Sequence, residues 1–125
     1  MAAHYVKVNE ADDVREHKNL YGGQGTISAR YFPFDGAPEP ARFVIYDIPP
    51  GASEGVHSHD HGPGSPGAFD EYYYIIAGSG EMTIEGNIVA INTGDHVHVP
   101  LGLAHGIANT MPMGSLRVFL TYISR

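Results

Sequence analysis

Short runs of β-branched and aromatic residues fill most of the chain, and glycine or proline interrupts them roughly every eight to twelve residues. This spacing is typical of short antiparallel strands in a sandwich or barrel. No stretch shows the period of an amphipathic helix, and no internal repeat is visible. The predicted strands are Thr26–Phe32, Ala41–Ile48, a strand beginning at Val56–His61, Glu71–Ile76, Gly80–Ile84, Ile88–Ile91, His96–Val99 and Leu116–Ile123.

These strands predict a single all-β domain. Residues 26–125 form the predicted barrel, and residues 1–25 form an N-terminal arm in which Tyr5–Val8 is predicted as an edge strand. Glu85-Gly86-Asn87 predicts a tight hairpin turn between two of the strands. The segment Gly62–Gly67 consists of glycine, proline and serine, which predicts a surface loop and a candidate lid beside the strand before it.

The charge balance narrows the classes of molecule that the protein could bind. Acidic residues outnumber lysine and arginine by fourteen to seven, so the formal charge is −7. Without a basic stripe we expect no nucleic-acid binding. No run of about eighteen apolar residues and no basic segment followed by an apolar one is visible, so we expect no membrane span, no secretory signal and a cytoplasmic location. The absence of cysteine excludes disulfides and thiolate metal ligands.

Histidine is the residue type that points to chemistry. The chain has eight histidines, and six of them lie between His57 and His105. His57 and His59 are two positions apart, so on a strand both side chains would point to one face. Glu71 heads a strand of tyrosine and isoleucine, where a buried carboxylate would need a compensating charge such as a metal ion. Taken singly, each of these residues also has an ordinary structural interpretation, as a surface histidine, a solvated glutamate or a turn histidine.

Together these residues resemble the two sequence motifs of the cupin family. The first motif runs from Gly51 through five residues to His57-Ser58-His59, and then from Glu71 through six residues to Gly78. The second runs from Gly94 through five residues to Pro100-Leu101-Gly102, then through two residues to His105 and three more to Asn109. The resemblance covers roughly residues 41–123. It implies a jelly-roll β-barrel that holds one divalent metal ion through His57, His59, Glu71 and His105.

The first motif departs from the family pattern in one respect. Residues 60–70 separate His59 from Glu71, a longer segment than is usual in the family. An insertion in a surface loop is tolerated, because the entropy of loop closure grows only slowly with length. The distance from Glu71 to Gly78 is intact, so Glu71 is the predicted ligand. His61 has the same parity as His57 and His59, and the alternative is that it replaces or joins Glu71 at the metal.

Two residues are candidates for a catalytic role. Tyr73 shares the parity of Glu71 and is predicted to project toward the metal, where it could transfer a proton, orient a substrate or simply fill the core. His61 is the second candidate.

Other polar and aromatic residues on the same strands are predicted to face away from the core. His96 and His98 alternate with two valines that have the character of a core face. Tyr72 and Tyr74 are also predicted to point outward, with a dimer interface as one use for them.

The predicted ligand set allows several chemistries. Three imidazoles and one carboxylate suit iron, manganese, nickel, zinc or copper and leave coordination positions open. An open position can take dioxygen beside a chelating substrate, as in cupin dioxygenases, or can stabilise an enolate or phenolate, as in small cupin polyketide cyclases.

We therefore expect a metal-dependent enzyme that acts on a small enolisable or ring-bearing molecule. Dioxygenase or other oxidoreductase chemistry ranks ahead of cyclase, isomerase or lyase chemistry. The remaining alternative is a non-catalytic, metal-bearing protein that binds a small molecule. The family resemblance also implies a homodimer.

Overall fold

The computed structural model describes residues 5–32 and 42–125. Within these ranges the chain forms ten strands and one 3₁₀ turn, Leu20–Gly22. The strands are β1 Val14–Lys18, β2 Thr26–Phe32, β3 Arg42–Ile48, β4 Ser53–His57, β5 Phe69–Ala77, β6 Ser79–Ile84, β7 Asn87–Asn92, β8 His96–Val99, β9 His105–Ala108 and β10 Leu116–Ser124. The described part of the chain contains no helix long and apolar enough to cross a bilayer.

The strands form two antiparallel sheets that face each other across one core. The larger sheet has the order β1-β2-β3-β10-β5-β8, and the smaller has the order β4-β9-β6-β7. Neighbours in both sheets are mostly distant in sequence, as in a jelly roll. The fold class is therefore the predicted one, an all-β jelly-roll barrel. The core includes Ile27, Val44, Ile48, Tyr73, Ile75, Met82, Ile91, Val99, Ile107, Leu116, Val118 and Leu120.

Strand β10 shows how the sequence pattern positions this core. Leu116, Val118 and Leu120 are buried, whereas the residues between them are only partly buried. This alternation follows from the two-residue period of a strand. Burying each of these side chains stabilises the fold by about 1.5–3 kcal/mol. Because β10 pairs with both β3 and β5, it holds the centre of the larger sheet together.

The hairpin between β6 and β7 confirms the turn predicted at Glu85-Gly86-Asn87. Ile84 pairs with Asn87, so Glu85 and Gly86 form a two-residue loop. Both have positive φ, 48° and 81°. That is the geometry of a type I′ turn, whose twist matches that of the flanking strands.

Two strand predictions in the N-terminal half were wrong in position. Tyr5–Val8 is not a strand, and the edge strand is instead the polar segment Val14–Lys18. An edge strand with solvent on both sides needs a backbone partner more than an apolar face, and β2 provides that partner for β1. The strand predicted to begin at Val56–His61 is observed at Ser53–His57. Only the first two residues of the predicted range therefore lie in the strand.

Candidate metal centre

Four side chains from three parts of the fold converge between the two sheets. His57 is the last residue of β4 and pairs directly with His105, the first residue of β9. His59 follows just after β4, and Glu71 lies in β5 of the opposite sheet. One potential ligand atom from each of the four lies within 4.8 Å of the others. The structure thus brings together the four residues predicted as metal ligands.

Backbone carbonyls orient two of the imidazoles. The Nδ1–H of His57 donates to the Gly55 carbonyl at 2.7 Å, and that of His105 donates to the Leu103 carbonyl at 2.9 Å. A carbonyl can only accept, so in each ring Nδ1 carries a proton, and Nε2, which faces the centre of the group, is the nitrogen left to bind a metal. A hydrogen bond from the second ring nitrogen to a backbone carbonyl is typical of metal-binding histidine.

The imidazole nitrogens that face the centre lack other partners. Within the described residues, His57 Nε2 and both ring nitrogens of His59 are buried without a hydrogen bond. Leaving buried polar atoms unpaired is costly, and a cation among them would remove the cost. The residues present therefore fit one metal ion held by three imidazoles and a carboxylate.

The ionisation of the metal-free site also suits a cation. Burial lowers the pKa of His57 to about 4, so its ring is neutral near pH 7. Burial would raise the pKa of Glu71, but the hydrogen bonds with His105 and Tyr73, together with the His59 imidazole 3.6 Å away, outweigh it and hold that pKa at about 2. Burial likewise opposes charge on His105, yet the hydrogen bond to Glu71 raises its pKa. His105 Nε2 lies 3.0 Å from Glu71 Oε1, within hydrogen-bond distance.

Sequence reasoning missed a second buried carboxyl group, Glu54 of β4, which is only 3% exposed. Its Oε2 accepts from the Tyr46 hydroxyl at 3.2 Å. The Tyr73 hydroxyl lies 2.9 Å from Glu54 Oε1 and 2.5 Å from Glu71 Oε1, so it bridges the two carboxyl groups. Burial, and then the nearby charge of Glu71, raise the pKa of Glu54 to about 8.

A β-bulge explains why parity did not reveal Glu54. The pairing of β4 with β9 shifts register between Glu54 and His57, so both side chains point inward although they are three positions apart. A weaker signal was present, because Glu54 shares its parity with Ala52, which is also buried.

Tyr21 covers the site from the N-terminal arm. Its ring stacks on the His57 ring with the centroids 3.7 Å apart. The stack depends on a close approach of two backbones, since a Cβ on Gly55 would lie 2.0 Å from the Tyr21 carbonyl oxygen. Glycine is therefore required at position 55.

A cavity of about 420 Å³ lies beside His59, Glu71 and Glu54. Its other walls are largely aromatic and aliphatic, and no lysine or arginine of the described residues lines it. The aromatic side chains in its wall are Tyr21, Tyr31, Tyr46, Phe69 and Tyr122. A cavity that combines aromatic walls with a few converging polar groups is a common form of small-molecule site.

The structure places His61 apart from the four-residue group. His61 is exposed in the segment that follows β4. The parity shared with His57 and His59 does not carry over, because the strand ends at His57 and regular alternation ends with it. The arrangement thus does not support His61 as a replacement for Glu71 or as an addition to it.

The predicted loop at Gly62–Gly67 is folded on itself beside the site. The Ser65 hydroxyl accepts from the Asp60 amide at 3.0 Å and contacts the Gly67 backbone. Pro66 and Gly67 line the 420 Å³ cavity. The lid role of this loop stays a prediction.

The outward predictions on β5 and β8 agree with the structure. His96 and His98 are exposed, and Tyr74 is 44% exposed. His98 Nε2 lies 3.1 Å from Asp70 Oδ2, and its ring stacks on Tyr72 with the centroids 4.5 Å apart. These histidines have partners on the outer face of the larger sheet.

Comparison with known proteins agrees with this fold and site. The chain is 35% identical, over 94 residues, to an oxalate-binding protein of Thermotoga maritima, covering 74% of this chain and 72% of the relative. A crystal structure of a predicted oxalate decarboxylase from Thermotoga maritima matches with a TM-score of 0.83 and 27% identity, over 96% of this chain and all of that one. The polyketide cyclase RemF of Streptomyces resistomycificus has the same fold, with a TM-score of 0.71 and 17% identity over 95% of this chain and 80% of that one. The family described as the cupin domain matches residues 44–122, more than half of the chain. The chain therefore belongs to the cupin-domain family.

Proposed function

We propose that the protein is a metal-dependent enzyme that acts on a small enolisable or ring-bearing molecule. The observation that carries this proposal is the aromatic cavity of about 420 Å³ that shares His59 and Glu71 with the four-ligand group. A substrate in this cavity would lie against the metal on one side and against aromatic rings on the others. Planar molecules suit such walls, because aromatic rings stack favourably.

The protein residues divide the work at this site. His57, His59, Glu71 and His105 would hold one divalent ion, and the Gly55 and Leu103 carbonyls keep two of the rings oriented. When bound, such an ion polarises an oxygen atom of the substrate, and a redox-active ion can also activate dioxygen. The cavity walls position the substrate and exclude water.

Tyr73 is the proposed substrate-orienting or proton-transferring residue among those predicted from sequence. Its hydroxyl contacts Glu71, and its side chain is fully buried between the two carboxyl groups. We rank dioxygenase chemistry first and keep Lewis-acid cyclisation, isomerisation or lyase chemistry as the alternative.

A second candidate is the binding of a small carboxylate such as oxalate. It is favoured by the relative that shares 35% identity and is named for oxalate binding. The cavity weighs against it, because no cation of the described residues lines the wall and the metal alone would have to balance two negative charges.

Metal analysis and oxygen uptake test these proposals together. Protein purified without a histidine tag would be analysed for bound metal, loaded with iron(II), and mixed with catechol, with a cyclic 1,3-diketone or with oxalate. Oxygen uptake with catechol or the diketone supports the dioxygenase. Conversion without oxygen uptake supports the Lewis-acid alternative, and saturable oxalate binding without conversion supports the second candidate.

Two matched variants control this experiment. His105→Ala removes a proposed ligand and should abolish metal binding and conversion. His98→Ala removes an outer histidine and should preserve both. Conversion of the same compounds by the His105→Ala protein would contradict the proposal.

We also propose the homodimer expected from the family. Phe43 and Phe119 stack at 5.5 Å, and Phe119 pairs with Tyr74 across the outer face of the larger sheet. Sedimentation equilibrium tests this, with Tyr74→Ser expected to weaken association and a monomeric wild type contradicting it.

A further inference from the structure

We infer that Glu54 is an acid–base residue of the site, which holds a transferable proton at the wall of the substrate cavity. This role rests on the proposed function, because it requires a substrate held beside the four-ligand group. It goes beyond that function, since Glu54 is not one of the ligands.

The contacts of the Tyr73 hydroxyl limit where the protons of this buried chain of groups can lie. The Tyr73 hydroxyl has one proton, yet it contacts carboxyl oxygens of both Glu71 and Glu54. The shorter contact, 2.5 Å to Glu71, is the length of a hydrogen bond to a carboxylate. The 2.9 Å contact with Glu54 is then a hydrogen bond only if Glu54 has a proton of its own and donates it to the phenol oxygen.

The hydrogen bond at the other oxygen of Glu54 is also consistent with a protonated Glu54. Tyr46 donates its hydroxyl proton to Glu54 Oε2 at 3.2 Å, so this oxygen acts as the acceptor of a neutral carboxylic acid. Two ionised carboxylates this close in a buried site would repel each other strongly. Burial and the charge of Glu71 raise the pKa of Glu54, which accords with the geometry.

Glu54 is part of the cavity wall. Glu54 and Glu71 line the same cavity of about 420 Å³, so a substrate held near the ligand group would contact both side chains. Tyr46 already donates to Glu54, and so it stabilises the carboxylate that forms once Glu54 has lost its proton.

The reaction step balances without any further reagent. For a substrate held as an enolate, the O–H bond of Glu54 breaks while a C–H bond forms at the enolate carbon, and Glu54 becomes a carboxylate. In the reverse direction the carboxylate removes that proton and the enolate forms again. In deuterated water this cycle exchanges substrate hydrogen for deuterium.

Infrared spectroscopy on the metal-free protein tests the proton itself. Wild type at neutral pH should show a carboxylic-acid carbonyl band that is absent in Glu54→Gln and retained in Glu81→Gln, which alters an exposed glutamate of β6. Glutamine can donate to Tyr73 and accept from Tyr46 as a neutral acid does, so Glu54→Gln should fold. A wild-type spectrum without that band would overturn the inference.

Hydrogen exchange tests the transfer. The probe is hydroxyacetone, a neutral chelating α-hydroxyketone, with zinc-loaded protein in deuterated water, followed by proton NMR. Zinc is used because it has no redox chemistry. We expect exchange in wild type and in Glu81→Gln to be at least about tenfold faster than in Glu54→Gln, at the lower end of what general acid–base catalysis provides, with equal zinc content in all three.

The two proposals fail in distinguishable ways. Equal exchange in wild type and Glu54→Gln, including no exchange in either, overturns the role of Glu54 while zinc content still supports the metal centre. Wild type that binds no zinc contradicts the proposed function, and the infrared band then still reports whether Glu54 carries the proton.

Discussion

The two faces of strand β5 carry similar residues in different environments. On the inner face, Glu71 and Tyr73 are buried and connect to His105. On the outer face, Tyr72 stacks on His98, which has the Asp70 carboxylate as a partner. Acid, tyrosine and histidine thus occur on both sides of one strand.

The difference lies in which polar atoms are left without partners. The outer His98 is 42% exposed at its side chain, and its contact with Asp70 is one that solvent weakens. The inner His57 and His59 hold nitrogen atoms that neither solvent nor the described residues satisfy. Residue type alone therefore does not define a metal site. What defines it is the burial of imidazole nitrogens whose lone pairs have no hydrogen-bond partner.

The largest expected contrast between the faces comes from His105→Ala and His98→Ala. His105→Ala should lose bound metal and, with it, the stabilisation of about 2.7 kcal/mol that a metal present at 100 times its dissociation constant provides. His98→Ala should keep both. Elemental analysis and thermal unfolding with and without metal measure the effect. Full metal content in His105→Ala would show that the site is wrongly assigned.

The second contrast concerns pH and the buried acid of the inner face. The pKa of Glu54 rises from 4.5 to about 8 on folding, so the unfolded chain releases this proton first. The protonated Glu54 therefore contributes fully to the free energy of unfolding below pH 4.5. This contribution is lost as the pH rises through about 8, with a slope of up to about 1.4 kcal/mol per pH unit.

Urea unfolding of the metal-free protein between pH 5 and about 8 measures that slope. Glu54→Gln should flatten this part of the profile and should be more stable than wild type at the upper end. A wild-type profile no steeper than that of Glu54→Gln would mean that the carboxyl group ionises freely.

The third contrast compares the two tyrosines. Tyr73→Phe leaves the carboxyl groups of Glu54 and Glu71 without a shared partner and should destabilise the metal-free protein by about 1–3 kcal/mol. Tyr72→Phe keeps the ring stacked on His98 and should change stability by less than about 0.5 kcal/mol. Denaturant unfolding of both variants gives the comparison, and equal losses would contradict the buried bridge.

The smallest effect is expected where the outer face is altered alone. His98→Ala removes a partly exposed contact with Asp70, and such pairs contribute about 0–1 kcal/mol. The effect should shrink in high salt, because exposed charges are screened. A loss well above 1 kcal/mol would indicate that this face is buried against another subunit.

Much of the fold was predictable because local patterns and tertiary packing agree. The strand Thr26–Phe32 and the strand His96–Val99 have the predicted bounds, and the hairpin at Glu85-Gly86 follows from turn chemistry. The convergence of His57, His59, Glu71 and His105 also followed from motif spacing, despite the long segment between His59 and Glu71.

The misses share a physical cause, which is that strand pairing is non-local. Tyr5–Val8 has strand composition but no strand, whereas Val14–Lys18 forms one by pairing with β2. The bulge in β4 turns Glu54 inward, and the end of that strand at His57 removes His61 from the alternation. The alternation of residues along the sequence does not show where the pairing of two strands shifts register or ends.

The amino-acid sequence was enough to predict an all-β domain, the absence of thiolate ligands and a set of three histidines and a glutamate at motif spacing. These follow from composition, from turn residues and from the period of a strand, which are local properties. The folded chain revealed in addition that Tyr73 bridges Glu54 and Glu71 and that an aromatic cavity adjoins the ligands. These depend on which strands face each other across the core and on how far solvent is excluded there, and distant parts of the chain settle both.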